Sequence, residues 1–376
     1  MSVVRRQARL RWLAVACGVA LLCGLPSIIA AWPVPDSSVS AATLRDRILD
    51  SSGVTYSGYA ESSVNLGLPT NLPYLGQVSS LLDGVTDQYT WYLSADQWRS
   101  DVITTEDEND TYQTSQGTYL WDYDRNFLVH VVGTQPFRLP RAADLLPPAL
   151  AYRLLSYASS ADQISRLPSE RMAGVDAAGL RLVPKDPSTT VGAVEVWANP
   201  ATGLPIEVMV TGRGATQPVL VTRFLELNQS RPSPSTVTPS ASAGVGFTTA
   251  ELPSVRRVLD SQGPALPGQL AGQGRIANPG GLTDIAAYGT GFSRFAVVTL
   301  PHSTGDAAVD GTISNGGGIK VAGALFAALI QTPLVNVVIV QPPGNGPIYL
   351  LTGTVVPSVL EQAATALLTD LQGQTP

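Results

Sequence analysis

Catalysis and metal binding need nucleophiles, bases or ligands at particular spacings, and this 376-residue chain holds few side chains able to supply them. There are only two histidines. His130 alternates with Val129 and Val131 like any strand residue, and His302 follows Pro301 at a strand end. Neither has a cysteine or a local carboxylate beside it, so no zinc-type site is expected. Both cysteines, Cys17 and Cys23, fall inside an uncharged apolar stretch near the N-terminus, which excludes disulfides, zinc fingers and thiol catalysis from the rest of the chain. No Gly-x-Ser-x-Gly elbow is present. The run Glu106-Asp107-Glu108-Asn109-Asp110 gathers carboxylates, but its spacing matches no calcium loop and it lacks the glycine such a loop needs. A solvated hairpin tip is expected there. Asn315-Gly316-Gly317-Gly318 lacks the Gly-Lys-Ser/Thr ending of a phosphate loop and is likewise expected at a flexible hairpin tip. The sequence therefore points to a protein without catalytic residues, metal or cofactor.

What remains is apolar and aromatic. Trp91, Trp98, Trp121 and Trp197 recur in segments of period-two alternation, where they either fill a core or line a cavity. Trp91, Leu93, Trp98, Leu120 and Trp121, with Leu150 and Leu154 of a helix laid above them, are the expected lining of a pocket for a hydrophobic ligand. Alternating runs at 54–65, 89–94, 97–103, 112–115, 118–123, 127–132, 179–183, 191–198, 206–211 and 219–227 supply the strands of one large antiparallel sheet. Two amphipathic stretches, 41–52 and 144–157, supply its helices. A sheet with so few helices leaves part of its inner face uncovered, and that is the physical route to an apolar pocket.

The N-terminus decides the compartment. Arg5, Arg6, Arg9 and Arg11 form a basic tail over 1–11, and the uncharged segment 12–32 is long enough to cross a bilayer. Everything beyond it is expected outside the cytoplasm, on the periplasmic or extracellular side. A cut after Ala31 puts Ile29 where a signal peptidase prefers a small residue, so a retained single-pass anchor is expected, with a cleaved signal as the alternative. About ten residues separate the anchor from the first helix, a reach of roughly 35 Å. With a net charge of −6 and no basic stripe after the tail, nucleic acid is not an expected partner.

After 41–228 the composition turns Pro/Ser/Thr-rich over 229–246, which reads as an extended, solvated linker between two independently moving bodies. The remainder, 247–376, reads as a small α+β domain. Its expected elements are a helix near 254–260, strands at 285–288, 292–300, 334–341 and 348–354, and a last helix at 357–371.

Three segments of the first domain carry a resemblance. Tyr56-Ser57-Gly58-Tyr59 is followed by Leu66-Gly67-Leu68-Pro69. Gln116-Gly117-Thr118-Tyr119-Leu120-Trp121-Asp122-Tyr123-Asp124 forms an exposed-then-buried strand. The segment from Val191 to Trp197 runs into Thr202-Gly203-Leu204-Pro205. Together they resemble the LolA-like family of periplasmic lipoprotein carriers, over about 53–227. In the second part, 266–272, 287–292 and 351–356 are similar to the C-terminal half of RseB-like (MucB-like) sigma-E regulators. The resemblance implies an α+β chain whose large half-barrel sheet carries helices on its concave face, with a cavity for acyl chains and no enzyme activity. A lipid or a lipoprotein acyl chain is then the partner. An anchored chain cannot ferry cargo between membranes, so receiving, presenting or sensing is favoured. The alternative is an RseB-like regulator of a sigma factor, contacting a membrane-spanning anti-sigma factor.

Overall fold

The computed structural model describes residues 11–13, 15–19, 33–67, 81–104, 108–123, 125–132, 140–240, 244–251, 264–276, 284–314, 316–344 and 346–374. Most of the expected anchor lies outside them, as does the helix expected near 254–260. Among the described residues no helix is long and apolar enough to cross a membrane.

Period-two patterning produces one sheet of twelve strands. They are β1 (Tyr56–Asn65), β2 (Asp83–Ser94), β3 (Gln97–Ile103), β4 (Glu108–Thr114), β5 (Gly117–Asp122), β6 (Phe127–Val132), β7 (Gln163–Met172), β8 (Val175–Val183), β9 (Val191–Ala198), β10 (Pro205–Gly212), β11 (Pro218–Asn228) and β12 (Gly246–Glu251). Across the sheet the order is β12, β6, β5, β4, β3, β2, β1, β11, β10, β9, β8, β7. The first strand in sequence thus sits in the middle. Neighbours are antiparallel except β12, which runs parallel to β6.

Two helices cover one face. In α1 (Ala41–Leu49) the Ser40 hydroxyl caps the N-terminus by accepting from the Thr43 N–H, and Leu44 and Ile48, one turn apart, are both 1% exposed. Helix α2 (Pro147–Ser156) starts on its two prolines, whose missing N–H groups cost nothing in a first turn, and buries Leu150, Ala151 and Leu155. Helix α1 lies on β7 and β8, and α2 on β10 and β11. Their apolar stripes meet Leu180, Leu182, Val194, Val196, Val208 and Val210 in the main core. Gly203, at φ +75° in the turn after β9, passes so close to α1 that a Cβ there falls 2.2 Å from the Arg47 carbonyl oxygen. Only glycine fits.

The second sheet follows a short ribbon, β13 (Gln269–Leu270) with β14 (Gln273–Gly274). Its strands β15 (Ile285–Thr290), β16 (Ser293–Leu300), β17 (Phe326–Ile330), β18 (Asn336–Gln341) and β19 (Ile348–Gly353) stand in the order β15, β16, β19, β18, β17. Helix α4 (Pro357–Gln374) buries Leu360, Ala363, Ala364 and Leu367 against Val338, Val340 and Tyr349. Helix α3 (His302–Ser314) lies on the opposite face, with Val309 against Ile339 and Ile348. Gly305 allows that approach, since a Cβ there comes within 2.5 Å of Ile348. The glycines expected at a hairpin tip, Gly316 to Gly318, instead close the turn after α3.

The linker expected to be solvated is a strap. Pro232 and Val237 are buried, Val237 fully, and the turn Pro234–Val237 crosses β2, β3 and β4. Residues 247–251, expected in the second domain, form β12 of the first sheet together with Gly246 of the expected linker.

The two sheets also touch directly, contrary to the expectation of bodies moving apart. Thr189 Oγ1 donates to Phe292 and Thr354 carbonyls at 3.0 and 2.9 Å, the Thr190 N–H donates to Thr354 O at 3.1 Å, and the Val356 N–H to Ser188 O at 2.8 Å. Ser293 Oγ donates to Asp186 Oδ2 at 2.6 Å, and Arg294 stacks over the Tyr157 ring at 4.3 Å. Phe292 and Leu334 from the second sheet's loops enter the main core of the first.

The segment before α1 is docked as well. Asp36 pairs with Arg166 of β7 at 3.1 Å, and the Ser37 N–H donates to Ser169 Oγ at 2.9 Å. The free stretch after residue 32 is therefore about four residues, a reach of roughly 14 Å rather than 35 Å.

Candidate functional site

Strand register sorts the candidate residues onto two faces. Alternate residues of β2 (Thr86, Gln88, Thr90, Tyr92) share the helix-bearing face with Trp98, Ser100 and Val102 of β3, Thr111 of β4, Leu120 of β5 and Val129 of β6. The other face carries Tyr89, Trp91, Arg99, Asp101, Asp110, Tyr112, Tyr119, Trp121 and His130. Of the expected pocket lining, Trp98 and Leu120 therefore lie on the helix face and Trp91 and Trp121 on the outer face. They cannot line one cavity, because adjacent residues such as Leu120 and Trp121 point to opposite sides of a strand. Leu93 is buried beside the register shift between Tyr92 and Ser94. Leu150 is 8% exposed and belongs to the main core with Leu154 packed on it, so this pair fills the fold over β10 and β11.

The helix face has three zones. Over β8 to β11 it is the apolar core. At β1 to β3 it becomes a buried polar seam, in which Ser62 and Thr222 hydroxyls lie 2.8 Å apart, Ser100 Oγ donates to Gln88 Oε1 at 2.8 Å, and Gln88 Nε2 donates to the Ala142 carbonyl at 3.0 Å. Beyond the seam apolar character returns, with Val102, Phe127 and Val129 half-buried and Leu120 39% exposed. Leu120 stands between Thr111 and Val129 on its neighbouring strands.

The outer face is a ladder of rings and charges. The Tyr59 and Tyr89 rings meet at 4.7 Å with their planes tilted by 38°, the Arg99 guanidinium lies 5.1 Å from the centre of the Trp91 ring and 4.9 Å from that of Tyr112, and Tyr119 stacks on His130 at 4.2 Å. Arg99 donates from Nε to Asp101 Oδ1 at 2.6 Å and from Nη2 to Asp110 Oδ2 at 2.8 Å. The pair is directly opposed across β3 and β4, and exposures of 3% and 5% place both carboxylates inside the protein. Asp110 thus departs from the expected solvated hairpin tip. Burial, and next the Asp101 carboxylate, push the Asp110 pKa up to about 7 against the pull of Arg99. Burial also raises Asp101. The strap passes over this face, where Thr238 and Pro239 join Asp96, Gln116 and Tyr119 in lining a cleft of about 430 Å³.

Sequence spacing missed a further pair. His302 Nδ1 lies 3.3 Å from Asp306 Oδ1, one helical turn on, a relation that becomes visible only once 302–314 is read as helix.

Glu207 of β10, 6% exposed, is raised above the ordinary carboxylate range by burial, with Arg223 opposing the shift and Glu170 adding to it. A raised folded pKa means that the folded state holds the proton more tightly. Stability is therefore fully present below the unfolded value of 4.5 and falls as pH rises through the folded value. Glu207→Gln is expected to melt higher than the parent at neutral pH and to lose this part of the pH dependence. Thermal melts on both sides of the window check it, and equal slopes for parent and variant would rule it out.

No protein-family model matches the chain, and no curated protein does. Solved structures do match. A crystal structure of MucB in complex with MucA(peri) is 17% identical, spans 87% of this chain and 97% of its own, and superposes with a TM-score of 0.48. The Pseudomonas aeruginosa MucA/MucB complex gives the same values. The LolA superfamily protein NE2245 from Nitrosomonas europaea is 10% identical over 54% of this chain and 99% of its own, with a TM-score of 0.23. The chain is similar in structure to MucB and to LolA-superfamily proteins.

Proposed function

We propose that this is an exported binding protein, held at the membrane by segment 12–32, that receives an apolar group on the helix face of β3 to β6. The observation that carries the reading is Leu120. It keeps 39% of its surface exposed on the same sheet face that, across the polar seam, is a filled core. Val129 adjoins it directly, Val102 and Phe127 lie on the same face with Asn109 and Asp122 between them, and Trp98 lies two strands away on the same side. An acyl chain of a lipid or lipoprotein fits a strip of this kind, at about 0.8 kcal/mol for each methylene removed from water. A binding role, not a catalytic one, is what these residues support.

Native mass spectrometry of the full chain released from detergent-free lipid particles tests for a lipid that stays bound to the protein. A fluorescent fatty acid then reports affinity. Because Leu120 is exposed, Leu120→Asp is expected to fold normally yet weaken that probe about tenfold to a hundredfold, the equivalent of one leucine's burial. Unchanged affinity in a folded variant places the ligand elsewhere. Recovery of an exported peptide of a membrane protein instead of lipid favours the anti-sigma contact.

A further inference from the structure

Ligand binding on the helix face leaves the carboxylates of the outer face without a role. We propose that Asp101, Glu108 and Asp110 form a binding site for a hard divalent cation, calcium before others. One carboxylate oxygen from each of the three lies within 4.8 Å of the other two. Ligands held at roughly 2.3–2.6 Å from a shared calcium ion span that distance. The β3–β4 register builds the cluster, since Asp101 opposes Asp110 and Ile103 opposes Glu108, so all three acids project from one face of the same hairpin.

A second observation points to a ligand. Asp110 is 5% exposed, its Oδ2 accepts from Arg99 and at 3.4 Å from the Tyr112 hydroxyl, but its Oδ1 is buried and accepts from no N–H or hydroxyl, the facing Asp101 carboxyl being the side chain's remaining partner. A buried carboxylate oxygen left this way is costly, and native proteins rarely leave one so. Arg99 approaches Asp110 through Oδ2 only, so it does not occupy the free oxygen. Its single positive charge faces three acidic side chains, which a divalent cation balances more fully than Arg99 alone. Asp87 of β2, opposite Ile103, adds another acid at the flank. Glu108 is half-buried and opens the site toward solvent. An all-oxygen ligand set selects hard cations, and carboxylates on a twisted ladder suit the flexible coordination of calcium better than the octahedron of magnesium.

The test uses the full chain, stripped with chelator and titrated with calcium chloride by calorimetry. In parallel, terbium luminescence is excited through Trp121, which stands opposite Asp110. The expected dissociation constant for calcium is about 0.1–1 mM, the range of extracellular modules. Asp110→Asn and Glu108→Gln are each expected to weaken it tenfold or more with circular dichroism unchanged. Glu108→Gln, on the half-buried member, keeps the test decisive if the buried substitution unfolds the sheet. Absence of calcium heat and of terbium emission in the parent overturns the proposal, as does parental affinity in a folded Glu108→Gln protein.

Discussion

Leu150→Asp is expected to unfold the large sheet. Leu150 is 8% exposed in α2 and shares the main core with Val208 and Val210, which α2 covers. The substitution removes about 3–5 kcal/mol of packing and adds the desolvation of a carboxylate, against a total stability of about 5–15 kcal/mol for a domain. Leu154, only partly buried on the same helix, has room to turn a charge toward solvent. Leu154→Asp is therefore expected to cost about 1–2 kcal/mol and leave the fold intact. Denaturation midpoints of the two variants should differ widely. Similar, small losses in both would show that α2 is a lid over a cavity and not part of the core.

Val237→Asp is expected to free the strap while sparing the sheet beneath it. Val237 is fully buried in a four-residue turn that crosses three strands, and apart from Pro232 its neighbours from Arg231 to Ser240 are polar, exposed or only partly covered. Burial of one valine contributes about 1.5–3 kcal/mol, which is most of what fastens so short and polar a segment. Limited proteolysis should then cut within 229–240, where the parent resists, with the strand signal in circular dichroism preserved. The contacts of Thr189 and Thr190 with Phe292, Leu334 and Thr354 should hold the two sheets together after cleavage, so the fragments should co-elute. A strap that stays protected would mean that Val237 is not its fastener.

These expectations depend on features of unequal visibility in the sequence. Strands β9, β10 and β11 declare themselves through β-branched alternation, and α2 through leucines one turn apart. Strand β7, Gln-Ile-Ser-Arg-Leu-Pro-Ser-Glu-Arg-Met, does not, because an edge strand needs only one paired side and its exposed, charged residues resemble a loop. Helix α3 is hidden by Gly305 and Gly311, which propensity counts against a helix but which packing on β18 and β19 overrides. The strap reads as a solvated linker in the sequence because only two apolar residues, Pro232 and Val237, fasten an otherwise polar segment. At the site, strand alternation alone separates Leu120 from Trp121. The meeting of Asp101 with Asp110 needs the hairpin register as well. Asp101 with Asp110 and Ile103 with Glu108 are symmetric about one turn, so fixing that turn pairs the acids.

The central position of β1 bears on how the chain reaches this state. On one side β1 pairs with β2, its neighbour in sequence, but on the other it pairs with β11, and Ser62 meets Thr222 across 160 residues. A chain emerging N-terminus first can zip β1 through β6 as a meander at once. The opposite edge of β1, with Ala60, Ser62 and Val64, then waits until β11 has arrived. Contacts of such long sequence separation form slowly, and an unpaired strand edge is a template for other chains in the interval. Closure of β11 onto β1 is thus expected to be the slow step of folding, with the half-built sheet the species most exposed to aggregation.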